Sequence, residues 1–390
     1  MKTDYKKYCT GCGLCQSKGF TSFSENEKGF IFPDVVDEDM ELFCNQCCPM
    51  GENGIKEHSG DSVWGDYIGF WTAHSSDSNI RRHSSSGGII TTICCWMLAH
   101  NIVDGVIQIR GKVDNPIDTE IVISRSSDEV KTCSGSRYTR SSPLLYIDKY
   151  FEGASKYAFV GKPCDCIALR NYMEINPKVK ESILYLFSFF CAGTPSQEAN
   201  AKLLKRLDIE PNECSSLVYR GDGWPGYTKA VSSNGKESII DYQTAWMDIL
   251  GRDIRYCCKF CFDSIGERAD ISAGDYWFLN SQLQPDFTER DGRNCVFAWT
   301  ERGKDLFNKL VADGSISVEN ETIENLNRAQ PNHYNRRSTL YTKLSIMKIC
   351  RKPVPAYPSK ELRKFLHFNT FLNHMRAAKG TIERIAKGKI

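Results

Sequence analysis

Lys156-Tyr-Ala-Phe-Val-Gly-Lys-Pro-Cys-Asp-Cys-Ile-Ala-Leu-Arg170 is the stretch on which the fold turns. Residues 156–160 form a short apolar run of the length and β-rich composition of a buried strand. Gly161-Lys-Pro-Cys164 breaks it, and residues 167–173 return apolar side chains at helical spacing. A strand running through a short turn into a helix is the repeating unit of an α/β layer. The same alternation extends on both sides. Residues 103–109, 121–124 and 183–190 read as further strands. Helices are expected over 89–100, after Ser84-Ser-Ser-Gly-Gly88, and from Thr194-Pro-Ser-Gln197, where Thr194 can cap, Pro195 suits the first turn and Gln197 the capping-box position. The expectation is an α/β domain with α+β character over residues 61–340. A small segment (1–60) precedes it and a basic helical tail (341–390) follows.

Eighteen cysteines are spread along the 390 residues. With no apolar core in MKTDYKKYCTGCG, no secretory signal is expected, and a cytoplasmic chain keeps few disulfides. The cysteines are then metal ligands, small buried hydrophobes or reactive thiols. Cys9-Thr-Gly-Cys12-Gly-Leu-Cys15 has the two-residue gaps by which thiolates hold an iron–sulfur cluster. Cys48, followed by Pro49, is the expected fourth ligand, with Cys44 and Cys47 as alternatives. A structural zinc would accept the same four thiolates. Residues 29–36 read as a short strand between the two cysteine groups. A segment this small needs such a staple. Its first motif lacks a Cys-Pro of its own and its second lacks a full CxxCxxC, so one cluster is expected there. A second set is more dispersed. Cys164 and Cys191 follow predicted strands, and Cys258 and Cys261 form a CxxC with Cys257 beside it. Strand carboxyl ends are where α/β sheets gather ligands, although a lone strand-end cysteine also serves as a buried hydrophobe.

Ser84-Ser-Ser-Gly-Gly88 ahead of an apolar helix suits an anion, through hydroxyls and helix amides; a plain capped helix start is the alternative. Gly135-Ser-Arg-Tyr138 and Tyr219-Arg-Gly-Asp-Gly-Trp-Pro-Gly226 are loops. Arg220 and Trp224 suit a flat, charged ligand, or the second loop is a Gly/Pro turn packing its Trp. In Ala269-Asp-Ile-Ser-Ala-Gly-Asp-Tyr-Trp277, Asp270 and Asp275 end or flank a strand, as turn formers or as ligand-orienting groups.

The formal net charge of +2 excludes a nucleic-acid-coating protein, and no apolar run is long enough to span a bilayer. Yet residues 343–390 hold twelve Lys and Arg against two Glu. Leu362, Phe365, Leu366, Phe368, Leu372 and Met375 fall at helix-face spacing. This tail is read either as a helix packed on the domain or as a basic amphipathic helix for an anionic membrane surface or an acidic partner.

The ordered motifs SSSGG, GSRYTRS, GKPCDCIALR, FCAGTPS, YRGDGWPG, CCKFC and ADISAGDYW resemble the coenzyme F420 hydrogenase/dehydrogenase beta-subunit family, which includes reductases of chlorophyll intermediates. The resemblance covers roughly residues 1–280. It implies a flavin-binding α/β domain with FAD beside a 4Fe-4S cluster, and two such clusters in all. Cys9, Cys12, Cys15 and Cys48 would hold one, and Cys164, Cys191, Cys258 and Cys261 the other. By the same resemblance Ser85, Ser86, Gly87 and Gly88 hold the flavin's phosphate side, while Ser136, Tyr138, Lys162 and Pro163 line its pocket. Arg220 and Trp224 then sit near flavin or substrate. Tyr138, Arg220 and Asp275 are the catalytic candidates, with His83 a further proton donor. The implied activity is an oxidoreductase that passes electrons from ferredoxin, or from an F420-type donor, to a small organic substrate. A second form of the same reading is an electron-transfer subunit serving a catalytic partner. A zinc-stapled binding protein is the alternative from another class.

Overall fold

The computed structural model describes residues 4–150, 154–388 and 390. Eight strands form its main sheet: β1 (Gly69–Ser75), β2 (Gly105–Gly111), β3 (Thr119–Ser124), β4 (Tyr157–Gly161), β5 (Ile183–Phe189), β6 (Ile271–Asp275), β7 (Asn294–Ala298) and β8 (Ile316–Glu319). Their order is β8-β1-β7-β6-β5-β4-β2-β3. The centre, β6-β5-β4-β2, is parallel and every outer pairing is antiparallel. The parallel centre places the carboxyl ends of β4, β5 and β6 along one edge of the sheet, which is where the site is built.

Five helices matter to that site: α1 (Glu38–Cys47), α2 (Ile89–Ala99), α3 (Pro163–Ile175), α4 (Pro331–Ile349) and α5 (Phe371–Ala386). Strand alternation sends neighbouring residues to opposite faces. Val106, Ala158 and Phe187 pack under α2 and the helix Glu301–Ala312. Ile107, Phe159 and Leu186 pack under α3 and also meet Leu14 and Phe43 of the N-terminal segment. The result is a three-layer sandwich in which Phe159 and Phe187 are wholly buried; each such ring contributes about 1.5–3 kcal/mol by leaving water.

The expected strands and helices fall where the pattern placed them, with two differences. The helix after residue 194 is Gln197–Arg206, and its cap is Ser196, which accepts from the Ala199 amide. The tail is not one amphipathic helix. It breaks into Ser359–Arg363, a 3-10 turn at Leu366–Phe368, and α5. Leu362 and Phe365 are buried, while Leu372 and Met375 are 67% and 54% exposed. The 3-10 turn, Asn369 and the Thr370 cap interrupt the repeat, so the residues do not share a face. Among the described residues no helix is long and apolar enough to cross a membrane.

The N-terminal segment is short of strands, with a hairpin of Phe23–Glu25 and Ile31–Pro33. Its α1, capped by Asp37, presses Phe43 edge-on against Tyr172 of α3, centroids 6.1 Å apart. The two ends of the chain meet. The Tyr8 hydroxyl donates to the Pro353 carbonyl at 2.8 Å and the Ala356 amide to the Met50 carbonyl at 3.0 Å. Close by lies a buried charged knot. His58 Nε2 and Glu267 Oε2 are 2.6 Å apart, Arg337 pairs with the other Glu267 oxygen, and Lys364 Nζ donates to the His58 carbonyl at 2.6 Å.

Candidate functional site

The turn after β4 and the end of β5 deliver Cys164 and Cys191 to the same place as Cys258 and Cys261. All four line one narrow cavity, with Lys162, Pro163, Thr194, Cys257, Asp263 and Arg336 around them and Thr10 and Met50 of the N-terminal segment completing the wall. Burial raises the thiols of Cys164, Cys191 and Cys261. Cys258 is lowered, chiefly by a hydrogen bond from Cys257, with Arg336 and Arg255 assisting. Burial alone would discharge Lys162, but Asp165 and Cys164 outweigh it and hold the ammonium charged. Its Nζ reaches Asp165 at 2.8 Å and Ser141 at 2.6 Å.

In the N-terminal segment the six cysteines lie close together. Cys15 and Cys44 sulfurs are 3.8 Å apart. Backbone amides distinguish the members. The Gly11 N–H donates to Cys9 Sγ at 3.3 Å, Leu14 donates to Cys12, and Met50 and Gly51 donate to Cys48. In the second group Gly193 donates to Cys191 and Thr194 to Cys258. Amide donors aimed at sulfur stabilise thiolate and tune a bound cluster. Burial raises Cys9, Cys12 and Cys47 alike, and Cys44 is raised chiefly by its contacts with Cys15 and Cys48. Cys9, Cys12 and Cys48, three of the four expected ligands, thus carry amide donors. Among the described residues no group of three or more His, Cys, Asp and Glu is arranged to hold a single metal ion.

Beside the second cysteine group opens a cleft of about 1190 Å³. That exceeds the roughly 300–1,000 Å³ of an ordinary ligand pocket. One end is polar. Gly88, with φ +78°, starts α2 without capping it through a side chain, and Ile90 and Thr91 of its first turn line the cleft with Ser84, Ser85, Ser86, Ser134 and Ser136. Ser85 and Ser136 hydroxyls are 2.8 Å apart. Arg137 lines the same end, and its buried Nε has no partner. An uncapped helix start, hydroxyls and an unsatisfied guanidinium N–H are a donor set for phosphate, so the residues fit the pyrophosphate of FAD.

Another part of the lining is aromatic. Arg220 lies 4.7 Å from the Tyr242 ring centroid and 5.3 Å from that of Trp277, and grips Asp275 with both terminal nitrogens at 2.9 and 3.0 Å. Trp224 Nε1 donates to Asp275 at 2.7 Å while its ring stacks on Trp277 at 4.5 Å. Asp275 is thus occupied as an acceptor, an orienting position for Arg220. Asp270 is fully buried between Arg170 and Arg302 and belongs to the scaffold.

Most of the expected residues meet in the cleft: Ser85, Ser86, Gly88, Ser136, Tyr138, Lys162, Arg220 and Asp275 line it. Others stand apart. Gly87 backs onto Ala73 and Asn294 of the sheet, where a Cβ would not fit. Pro163 lines the cysteine cavity, and Trp224 sits behind Trp277. His83 is exposed, 2.5 Å from Asp222. The sequence reading missed Arg137, Tyr242, Trp246, Gln330 and His333. Burial, with Arg336 and Arg337 nearby, pushes His333 down to about 3, leaving it neutral on the cleft floor. Trp246 lies in a π-helix, Thr244–Ile249, a rarity that often marks functional sites but has no sequence signature. Of these only Arg137, inside GSRYTRS, had a motif to announce it.

Residues 70–147 match the family model for the N-terminal part of the coenzyme F420 hydrogenase/dehydrogenase beta subunit, and residues 154–324 match the model for the C terminus of that same subunit. The coenzyme F420 hydrogenase subunit beta of Methanothermobacter thermautotrophicus is 23% identical over 264 residues, covering 66% of this chain and 86% of the relative. The chloroplastic 7-hydroxymethyl chlorophyll a reductase of Oryza sativa subsp. japonica is 25% identical over 304 residues, 77% of this chain and 60% of the relative. A chain in the F420-reducing [NiFe] hydrogenase complex of Methanosarcina barkeri shares the fold, with TM-score 0.52 and 21% identity over 73% of this chain and 96% of that one. Fold, motif order and both family models agree: the chain belongs to the coenzyme F420 hydrogenase/dehydrogenase beta-subunit family.

Proposed function

We propose that the protein is an iron–sulfur flavoprotein oxidoreductase, with 4Fe-4S clusters at Cys9/Cys12/Cys15/Cys48 and at Cys164/Cys191/Cys258/Cys261, and FAD in the large cleft. One observation carries this reading. Lys162, Cys191, Gly193 and Thr194 line both the cysteine cavity and the cleft, so the second group of thiols and the cleft share a wall. Bound FAD would take electrons singly from that side and deliver a pair, as hydride, to an organic substrate. The α2 amides, Ser85, Ser136 and Arg137 would hold its phosphates. Lys162, kept charged, would offset negative charge at the shared wall. Arg220, fixed by Asp275 between Tyr242 and Trp277, would hold the aromatic wall against which a flat substrate lies, and Tyr138 in the cleft would serve as proton donor. The donor side is a ferredoxin-like or F420-type carrier, and the setting is cytoplasmic.

The relatives named as beta subunits support a second form, in which the chain relays electrons for a catalytic partner. Anaerobic purification with iron, sulfide and flavin analysis tests the core of both. About eight irons, eight sulfides and one FAD per chain are expected for two cubanes; zinc without flavin overturns both. Turnover of F420, NAD(P)H or ferredoxin by the chain alone supports the enzyme, and dye reduction only under those donors supports the subunit.

A further inference from the structure

Arg255 is a wholly buried cation placed between the two cysteine groups. It is 1% exposed. Nη1 donates to the Thr10 carbonyl at 3.2 Å, Nη2 donates to the Ile31 carbonyl, and Nε has no partner. Phe30 and Phe32 flank the guanidinium at 5.3 and 4.5 Å. No carboxylate is among its partners in the described residues. A buried charge so placed is costly unless an opposite charge compensates it. Its Nη1 packs against Gly11, between Cys9 and Cys12, while its own backbone leads straight into Cys257 and Cys258. Its backbone amide donates to the Thr194 carbonyl at 2.8 Å, and Thr10 and Thr194 both line the second cysteine cavity. Cys257 closes the same gap, its thiol donating to the Cys9 carbonyl at 3.3 Å.

We propose that Arg255 is the shared counter-charge of the two cysteine groups and raises the reduction potential of a cluster held at either. This rests on the cluster reading given above. Adding one electron to an anionic cluster increases its negative charge, with no bond made or broken, so a fixed cation nearby favours the reduced form. Because Arg255 lies between the two groups, its loss moves both potentials in the same direction.

The test compares the full chain with Arg255→Gln, which keeps an amide donor without the charge, and Arg255→Lys, which keeps the charge without the fork. Each is purified anaerobically, its iron and sulfide counted, and titrated reductively with both cluster signals followed by EPR. Arg255→Gln is expected to weaken reduction at both sites about tenfold, a shift of about 59 mV to more negative potential. Arg255→Lys should keep most of the wild-type potentials. Unchanged potentials in Arg255→Gln, or an equal shift in Arg255→Lys, overturn the proposal. Loss of N-terminal iron from the Gln variant alone supports it, since charge is then what holds the anion; loss from both overturns it in favour of a clamp. A wild-type chain without iron and sulfide overturns the cluster reading itself, whereas clusters indifferent to residue 255 overturn only this proposal.

Discussion

Arg220 shows how much one side chain can be made to do when nothing about it is free to move. Its charge is spent on Asp275, its faces on Tyr242 and Trp277, and its Nε on the Pro225 carbonyl at 3.1 Å. Removing one member of such a buried pair leaves the other uncompensated, at about 3–5 kcal/mol. Asp275→Asn is therefore expected to lower unfolding free energy by about 3 kcal/mol and to weaken flavin retention; urea titration and flavin content measure both. A wild-type urea midpoint in Asp275→Asn would show that Pro225, Tyr242 and Trp277 suffice to hold the guanidinium. Cys48 offers a sharper comparison. Its sulfur receives the Met50 and Gly51 amides, and Cys44 only contacts other thiols. Cys48→Ser should lose the iron of the N-terminal site, about half the total, while Cys44→Ser keeps it. The reverse pattern in iron content would assign the fourth ligand to Cys44.

At the scale of elements, the start of α2 decides whether an anion is held. An added carboxylate there suits the positive end of the helix dipole and costs the fold little, but it competes directly with a phosphate for the same site. Ser85→Asp is expected to raise the FAD dissociation constant tenfold or more, read by fluorescence titration, with iron content unchanged. Unaltered affinity would place the phosphates elsewhere in the cleft. The helices and strands that build this edge were legible because each has a local cause: apolar runs bounded by Gly161 or Gly88, with Pro163 at a first turn. The convergence of Cys164, Cys191, Cys258 and Cys261 was not local. Strand ends hinted at it and the family motifs strengthened it; the parallel β4-β5 pair brings Cys164 and Cys191 together, and the Arg255–Thr194 and Cys191–Ser264 backbone bonds dock the segment of Cys258 and Cys261 beside them. Tyr242, Trp246 and His333 were illegible because they reach the cleft from segments without a motif. The tail misled for the opposite reason. Its spacing was regular through Met375, yet Asn369 and Thr370 end one piece and cap the next, a break that periodicity alone does not register.

The whole molecule is held by contacts between its distant parts, and the Glu267 knot is the most concentrated of them. Despite burial, Arg337 and His58 hold the Glu267 carboxyl down to about 2, against an ordinary value of 4.5. Its folded pKa lies below its unfolded one, so its contribution is complete above about pH 4.5 and is lost as pH falls toward 2. The difference corresponds to on the order of 3 kcal/mol. Unfolding free energy from urea curves should fall more steeply between pH 4.5 and 3 in the wild type than in Glu267→Gln, which starts about 3–5 kcal/mol lower. Parallel curves would remove Glu267 from the acid response. The meeting of Tyr8 with Pro353 has a consequence for biosynthesis. Residues 345 apart in sequence must come together to enclose the first cysteines. At a ribosome's roughly 5–20 residues per second, that is about 20 to 70 s after Tyr8 emerges. During translation Cys9, Cys12 and Cys15 therefore wait outside the tunnel without their final covering. A cluster at that loop, as proposed, would gain its final covering only after the segment around Pro353 has been made.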